Sequence, residues 1–156
     1  MKIIKRRHFL SLLGLGGASF TLKSAHAHHT DTHFADRSAH QLVYQCNKAD
    51  SDYIEHVLFS CGELLRKYGD DIELVISAFG PGLNLLAVNP ARPISPLHQE
   101  RVKSLMEYGV RFQACGNTMK SMGWQEIDIL DGAEFVPIGV EGIMQLQEQG
   151  FSYISI

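Results

Sequence analysis

Ile72-Glu73-Leu74-Val75-Ile76-Ser77-Ala78-Phe79-Gly80-Pro81-Gly82 is the stretch from which the fold is read. A near-continuous apolar run closed by a Gly-Pro-Gly turn is what a parallel strand covered on both faces looks like; a half-solvated antiparallel strand would alternate polar and apolar positions. Upstream, residues 42–46 form a second short apolar strand. Between the two, residues 50–68 carry Ile54, Val57, Leu58, Cys61, Leu64, Leu65 and Tyr68 at three- and four-residue steps, the period of an amphipathic helix that Gly69-Asp70 then ends. Downstream, residues 83–88 read as a short helix and 89–95, with Pro90 and Pro93, as an extended loop. Ser95 is placed to cap a helix that has Pro96 at its first position and Gly109 as terminator. A strand over 110–115, a helix over 117–124, a strand over 135–138, a helix over 140–149 and a strand over 151–156 complete an alternation that specifies an α/β domain with right-handed crossovers. No internal repeat and no second domain is read.

The first 27 residues are set apart from this domain. Lys5-Arg6-Arg7 precedes a Gly-interrupted apolar stretch from Leu10 to Phe20, and Ala25-His26-Ala27 has the form of a signal-peptidase site, which together read as a twin-arginine export signal. A membrane anchor would need roughly 20 apolar residues, and Gly14, Gly16 and Gly17 break up this shorter core. Cleavage after Ala27 is expected to leave a periplasmic chain of 129 residues with no stable membrane insertion. The signal holds five of the 14 basic residues and no acidic one, so nine basic residues face 17 acidic ones and the net charge falls to about −8. Such a chain repels nucleic acid, and nucleic-acid binding is not expected. Residues 28–40 are polar and histidine-rich and read as an N-terminal tail; His28, His29 and His33 are the only hint of a metal site, and no cofactor is expected.

In open parallel sheets function gathers beyond the carboxyl ends of the strands. Four loops should meet there, contributing Asn47, then Gly80, Gly82 and Asn84, then Gly116 and Asn117, then Gly139. No phosphate-binding glycine motif is present. Cys115 ends the third strand where a helix begins, so unpaired backbone N–H groups, those of Gly116 and Asn117 first, would favour its thiolate. Its bland reading is a buried strand-end thiol. Cys46 ends the first strand at the same edge; were those strands neighbours, it could pair with Cys115 or resolve it. Cys61 lies on an apolar helix face and reads as a small core residue. Three cysteines are too few for a disulfide scaffold, and none forms a CxxC pair. His56 and His98 read as packing or surface residues, and Asp128 and Asp131 as a solvated loop rather than paired acids.

Taken together, Val43-Tyr44-Gln45, Gly80-Pro81-Gly82, the run Ala114-Cys115-Gly116-Asn117-Thr118, Val136-Pro137 with Gly139-Val140, and Leu146-Gln147-Glu148-Gln149-Gly150-Phe151 resemble the DsrE/DsrF-like family over nearly all of residues 41–156. The resemblance implies a three-layer α/β/α sandwich around a mainly parallel five-stranded sheet, assembled as a homo-trimer or hexamer. It also implies sulfur handling: relatives in sulfur oxidation and tRNA thiolation carry sulfane sulfur as a persulfide on a cysteine, Cys115 is the matching position, and the partner is a thiol-bearing donor or acceptor. Those relatives are cytoplasmic, which an exported chain is not. The competing expectations are a non-catalytic oligomeric module binding a small molecule or metal, and a Cys46–Cys115 thiol-disulfide switch.

Overall fold

The computed structural model describes residues 38–156; the stretch read as an export signal and His28, His29 and His33 lie outside them. Strand β1 (His40–Cys46) leads into helix α1 (Ser51–Tyr68). Asp50 caps α1, its carboxylate accepting the Tyr53 N–H at 2.9 Å, and Gly69, at φ +55°, ends it by donating its own N–H to the Leu65 carbonyl. Strand β2 (Ile72–Ala78) runs into a 3-10 turn at Gly80–Leu86, tighter than the α-helix expected over 83–88. Helix α2 (Pro96–Glu107) begins at Pro96 as read, but Ser95 gives it only a backbone acceptor, the carbonyl that takes the His98 N–H; its side chain makes no cap. Strand β3 (Arg111–Cys115), helix α3 (Gly116–Met122), strand β4 (Glu134–Val136), helix α4 (Gly139–Glu148) and strand β5 (Ser152–Ile154) follow. The outer strands are shorter than the apolar runs that announced them, because an edge strand has a partner on one side only.

The sheet has the order β4-β3-β2-β1-β5 and every pairing is parallel. Handedness then places the helices. Right-handed crossovers that step from β1 to β2, β3 and β4 in one direction put α1, α2 and α3 on one face; the return from β4 across the sheet to β5 puts α4 on the other. The core divides accordingly. Tyr44, Cys46, Leu74, Ile76, Ala78, Phe112 and Ala114 pack with Ile54, Val57, Leu58, Val102, Leu105 and Met119 in the larger layer. Val43 and Val75 meet Ile143, Leu146 and Phe151 in the smaller one. Each fully buried Val, Leu, Ile or Phe contributes about 1.5–3 kcal/mol, which makes the larger layer the main source of stability.

Where α4 does not reach, the second face carries a charged ladder. Arg111 donates to Glu73 at 2.8 Å and to both carboxylate oxygens of Glu134 at 2.7 and 3.0 Å, and Gln41 donates to the other Glu73 oxygen at 3.1 Å. Hydrogen bonding from Arg111 outweighs the opposing effect of burial and holds the Glu134 carboxyl below the usual carboxylate range. A group whose pKa is depressed by folding stabilises the fold above its unfolded value, and that contribution drains away as pH falls through the folded one. Melting temperature should therefore fall on acidification below about pH 4.5, and the fall should be shallower in Glu134→Gln. Identical acid profiles for the two proteins would remove the ladder from the account.

Candidate active site at the carboxyl edge of the sheet

Cys115 is the last residue of β3 and the N-cap of α3, with extended backbone angles of φ −76° and ψ 114°. Alternation along β3 turns its side chain away from Ala114 and toward α4. There its Sγ accepts the N–H of Gly139 at 3.2 Å. Gly139 is the first residue of α4, and the residue before it, Ile138, has no side-chain acceptor to offer. The Cys115 sulfur thus performs the capping that serine or aspartate does in most helices. Glycine eases this approach: a Cβ on residue 139 would lie 3.0 Å from Phe79 and 3.1 Å from the Cys115 Cβ, so those side chains would have to give way. The arrangement is tied down on both sides. The Ser77 hydroxyl donates to the Gly139 carbonyl at 3.3 Å, and the Asn117 N–H donates to the Pro137 carbonyl at 3.0 Å. From the third side, the Gly80 N–H donates to the Thr118 hydroxyl oxygen at 2.9 Å.

Burial alone would raise the Cys115 thiol. It is outweighed by the Thr118 hydroxyl and by the N–H groups of Thr118, Gly139 and Asn117, so the thiol sits below its ordinary range. The side chain closes no full capping bond to α3 itself, so the Asn117 and Thr118 amides act through their field rather than by a formed bond. With 4% of its surface exposed, Cys115 admits a reagent only at a narrow opening. Cys46 and Cys61 are fully buried with no compensating donors, and burial pushes both thiols up to about 12. In the native protein at neutral pH, a small alkylating reagent is expected to label Cys115 alone, with Cys46 and Cys61 reacting only after denaturant. Peptide mapping of the label checks this, and native labelling of Cys46 would contradict it.

The structure separates the two strand-end cysteines. Strand β2 lies between β1 and β3, so two interstrand spacings, about 10 Å, part their backbones. A disulfide tolerates roughly 7 Å at most. The faces differ as well: Cys46 is in register with Ala78, and Ala78 with Ala114, all in the layer under α1 to α3, whereas Cys115 is one residue further and points the other way. All three thiols are free. An intramolecular disulfide switch or a resolving role for Cys46 is incompatible with this topology.

The remaining candidates sort by contact. Gly139 borders the sulfur, Gly80 reaches the Thr118 hydroxyl rather than Cys115, and Gly116 fits closely beneath β4, where a Cβ would stand 3.3 Å from the Val136 carbonyl oxygen. The hydrogen bond formed on the sulfur comes from the Gly139 N–H, and not from the Gly116 or Asn117 N–H groups. Asn47 is held against the Tyr53 hydroxyl, Gly82 against the backbone of Cys46, and buried Asn84 ties Pro81 to Arg92; these three shape loops and do not reach Cys115. His56 is exposed, and His98 is buried against Glu55 between α1 and α2. Asp128 caps a turn at Gln125 and Asp131 bonds to Gly132, so they are not paired. Among the described residues no cluster of three or more His, Cys, Asp or Glu side chains could hold a metal. Nor is any described helix long and apolar enough to cross a membrane. Two contributors went unread. Thr118 lies three residues past the cap, the position from which a side chain reaches back toward it; the Gly139 amide is 24 residues away in sequence.

Comparison with known proteins agrees with this architecture. A protein of unknown function, MTH1491, from Methanobacterium thermoautotrophicum superposes with a TM-score of 0.67 at 25% identity, over 75% of this chain and 99% of that one. The ychN protein of E. coli superposes at 0.60 with 14% identity over 75% and 99%, and BT1422, a conserved protein of unknown function from Bacteroides thetaiotaomicron, at 0.58 with 16% over 79% and 100%. These two likenesses show the fold. No protein of curated function matches the sequence. The DsrE/DsrF-like family matches residues 21–156, a span that takes in every element described above, and the chain belongs to that family.

Proposed function

We propose that the protein is an exported sulfur carrier in which Cys115 accepts sulfane sulfur, holds it as a persulfide and passes it to a partner thiol. Family membership supports a sulfur-relay role. The observation that carries the finer reading is the hydrogen bond from the first amide of α4 to the Cys115 sulfur, at the meeting of two helix starts. The thiolate it favours attacks the outer sulfur of a persulfide or polysulfide donor. A new S–S bond forms, the donor's S–S bond breaks, and the donor leaves as thiolate or hydrosulfide with no net oxidation. Arg6-Arg7 and the apolar stretch after them support twin-arginine export and a periplasmic site of action. The test is to incubate the protein with inorganic polysulfide, desalt it and add cyanide. One thiocyanate released for each chain is expected, and none would overturn the proposal.

Self-association belongs to the same reading. Ile138, Val140 and Met144 at and along the outer side of α4, with Tyr153, Ile154 and Ile156 at the β5 edge, leave apolar side chains exposed around the second face. A homo-trimer or hexamer would bury them. Val140→Asp is expected to lower the mass measured by light scattering without lowering helix content, and an unchanged assembly would show that α4 is not its contact.

A further inference from the structure

Ser77 is the one polar side chain in the buried run 74–78 of β2. Alternation places it on the second face, two residues beyond Val75, where its hydroxyl donates to the Gly139 carbonyl at 3.3 Å. An apolar side chain would fill this position with no hydroxyl to satisfy, and a hydroxyl taken out of water is costly unless bonded. Packing therefore does not account for a serine here. The seating of α4 does. Gly139 and Gly142 bring the helix close to the sheet: a Cβ on residue 142 would lie 3.1 Å from the Gln113 Oε1, and one on residue 139 would lie 3.0 Å from Phe79. Such contacts limit how near the helix comes, but they do not fix where along the strands it stops. The Ser77 hydrogen bond is directional and does. It holds the carbonyl of the same residue whose N–H meets the Cys115 sulfur at 3.2 Å. Ser77 is in register with Gln113, two residues before Cys115 on the neighbouring strand. Gly139 is thus gripped by β2 at its carbonyl and by β3 at its amide.

We infer that Ser77 is a positioning residue: by fixing Gly139 it keeps the first amide of α4 on the Cys115 sulfur, and so sets the reactivity of that sulfur. The inference rests on the sulfur-carrier reading for the reaction it serves. In capture, the Cys115 thiolate attacks the terminal sulfur of a polysulfide; the S–S bond to Cys115 forms, the donor's own S–S bond breaks, and the shortened polysulfide leaves with the electron pair. An amide that donates to the thiolate makes the ion more abundant at neutral pH and, in the same measure, a weaker nucleophile. Loss of the Ser77 hydroxyl loosens that donor. Capture should then slow where Cys115 is mostly protonated and quicken where it is fully ionised.

The experiment compares two pairs that differ in the hydroxyl: wild type with Ser77→Ala, and Ser77→Thr with Ser77→Val, which match each other in shape. If the larger pair overfills the site and does not accumulate, the first pair decides alone. The pH midpoint of Cys115 alkylation by iodoacetamide is measured, and loading from inorganic polysulfide is timed across the same pH range. In each pair the member without the hydroxyl is expected to show a midpoint higher by about half to one pH unit. Its loading should be about two- to fourfold slower below both midpoints and about twofold faster above them, so that the two pH profiles cross. A merely structural residue would slow loading by one factor at every pH and leave the midpoint in place. That result, or equal midpoints within the pairs, would overturn the role. If wild-type protein takes up no sulfur, the carrier reading fails, and the alkylation midpoints still decide whether Ser77 acts on Cys115.

Discussion

Cys115→Ser is expected to abolish sulfur loading and to leave the fold nearly untouched. A serine oxygen at this position can still accept the Gly139 N–H, so the start of α4 keeps its cap. What it cannot do is ionise in the working range of pH, and without an ionised sulfur no S–S bond can form. The stability change should stay within about 1 kcal/mol, a few degrees in melting temperature. Cys61→Ser provides the converse. It places a hydroxyl on the buried apolar face of α1, with an expected loss of about 1–3 kcal/mol, yet should load sulfur as wild type does. Thiocyanate yield and thermal unfolding, measured on both variants, separate chemistry from stability. Loading that persists in Cys115→Ser would sink the assignment of the carrier residue.

Gly82→Ala should have the largest effect on the fold. A Cβ on residue 82 would stand 2.2 Å from the Cys46 carbonyl oxygen, 2.5 Å from its carbon and 2.8 Å from the Asn47 nitrogen. These are backbone atoms at the end of a central strand, so no side-chain rotation relieves the overlap. Either the β1 end or the Gly80–Leu86 turn must move, and with it the loop whose Gly80 amide holds Thr118. A loss of about 4 kcal/mol or more is expected, seen as a melting temperature lower by on the order of 10 °C or as failure to accumulate soluble protein. Gly62→Ala is the control. Residue 62 lies within α1 with nothing within 4 Å of its Cβ position, and alanine there should stabilise by about 0.5–1 kcal/mol. Equal melting temperatures for Gly82→Ala and wild type would show that the turn is looser than the contact implies.

The contrast between Cys115 and Cys46 marks where sequence reading stops. Period and terminators located the five strands and the four α-helices, though not the 3-10 turns, because hydrophobic spacing and terminators such as Gly69 are local properties. Strand order is not local. Near-continuous apolar strands such as 72–79 also hide which alternate residues share a face, so nothing in the sequence placed β2 between β1 and β3 or put Cys46 and Cys115 on opposite sides. The same limit applied to the donors. Asn117, two residues past Cys115, stood out as a local candidate, whereas the Gly139 amide reaches the sulfur only because α4 returns across the second face of the sheet. Gly139 itself stood out as a glycine in a strand-end loop, but its close packing against Phe79 and Cys115 is a tertiary fact. Ser95 failed as a cap for a simpler reason: its side chain turned away while its carbonyl served the first turn of α2.

The most direct test of the account is to locate the sulfur. Protein loaded with polysulfide under native conditions is trapped with an alkylating reagent, digested without reductant and mapped by mass for the peptides of Cys46, Cys61 and Cys115. The account predicts one additional sulfur atom on Cys115 and unmodified Cys46 and Cys61. Sulfur on Cys46 or Cys61, or an unloaded Cys115 in protein that is otherwise folded, would contradict it.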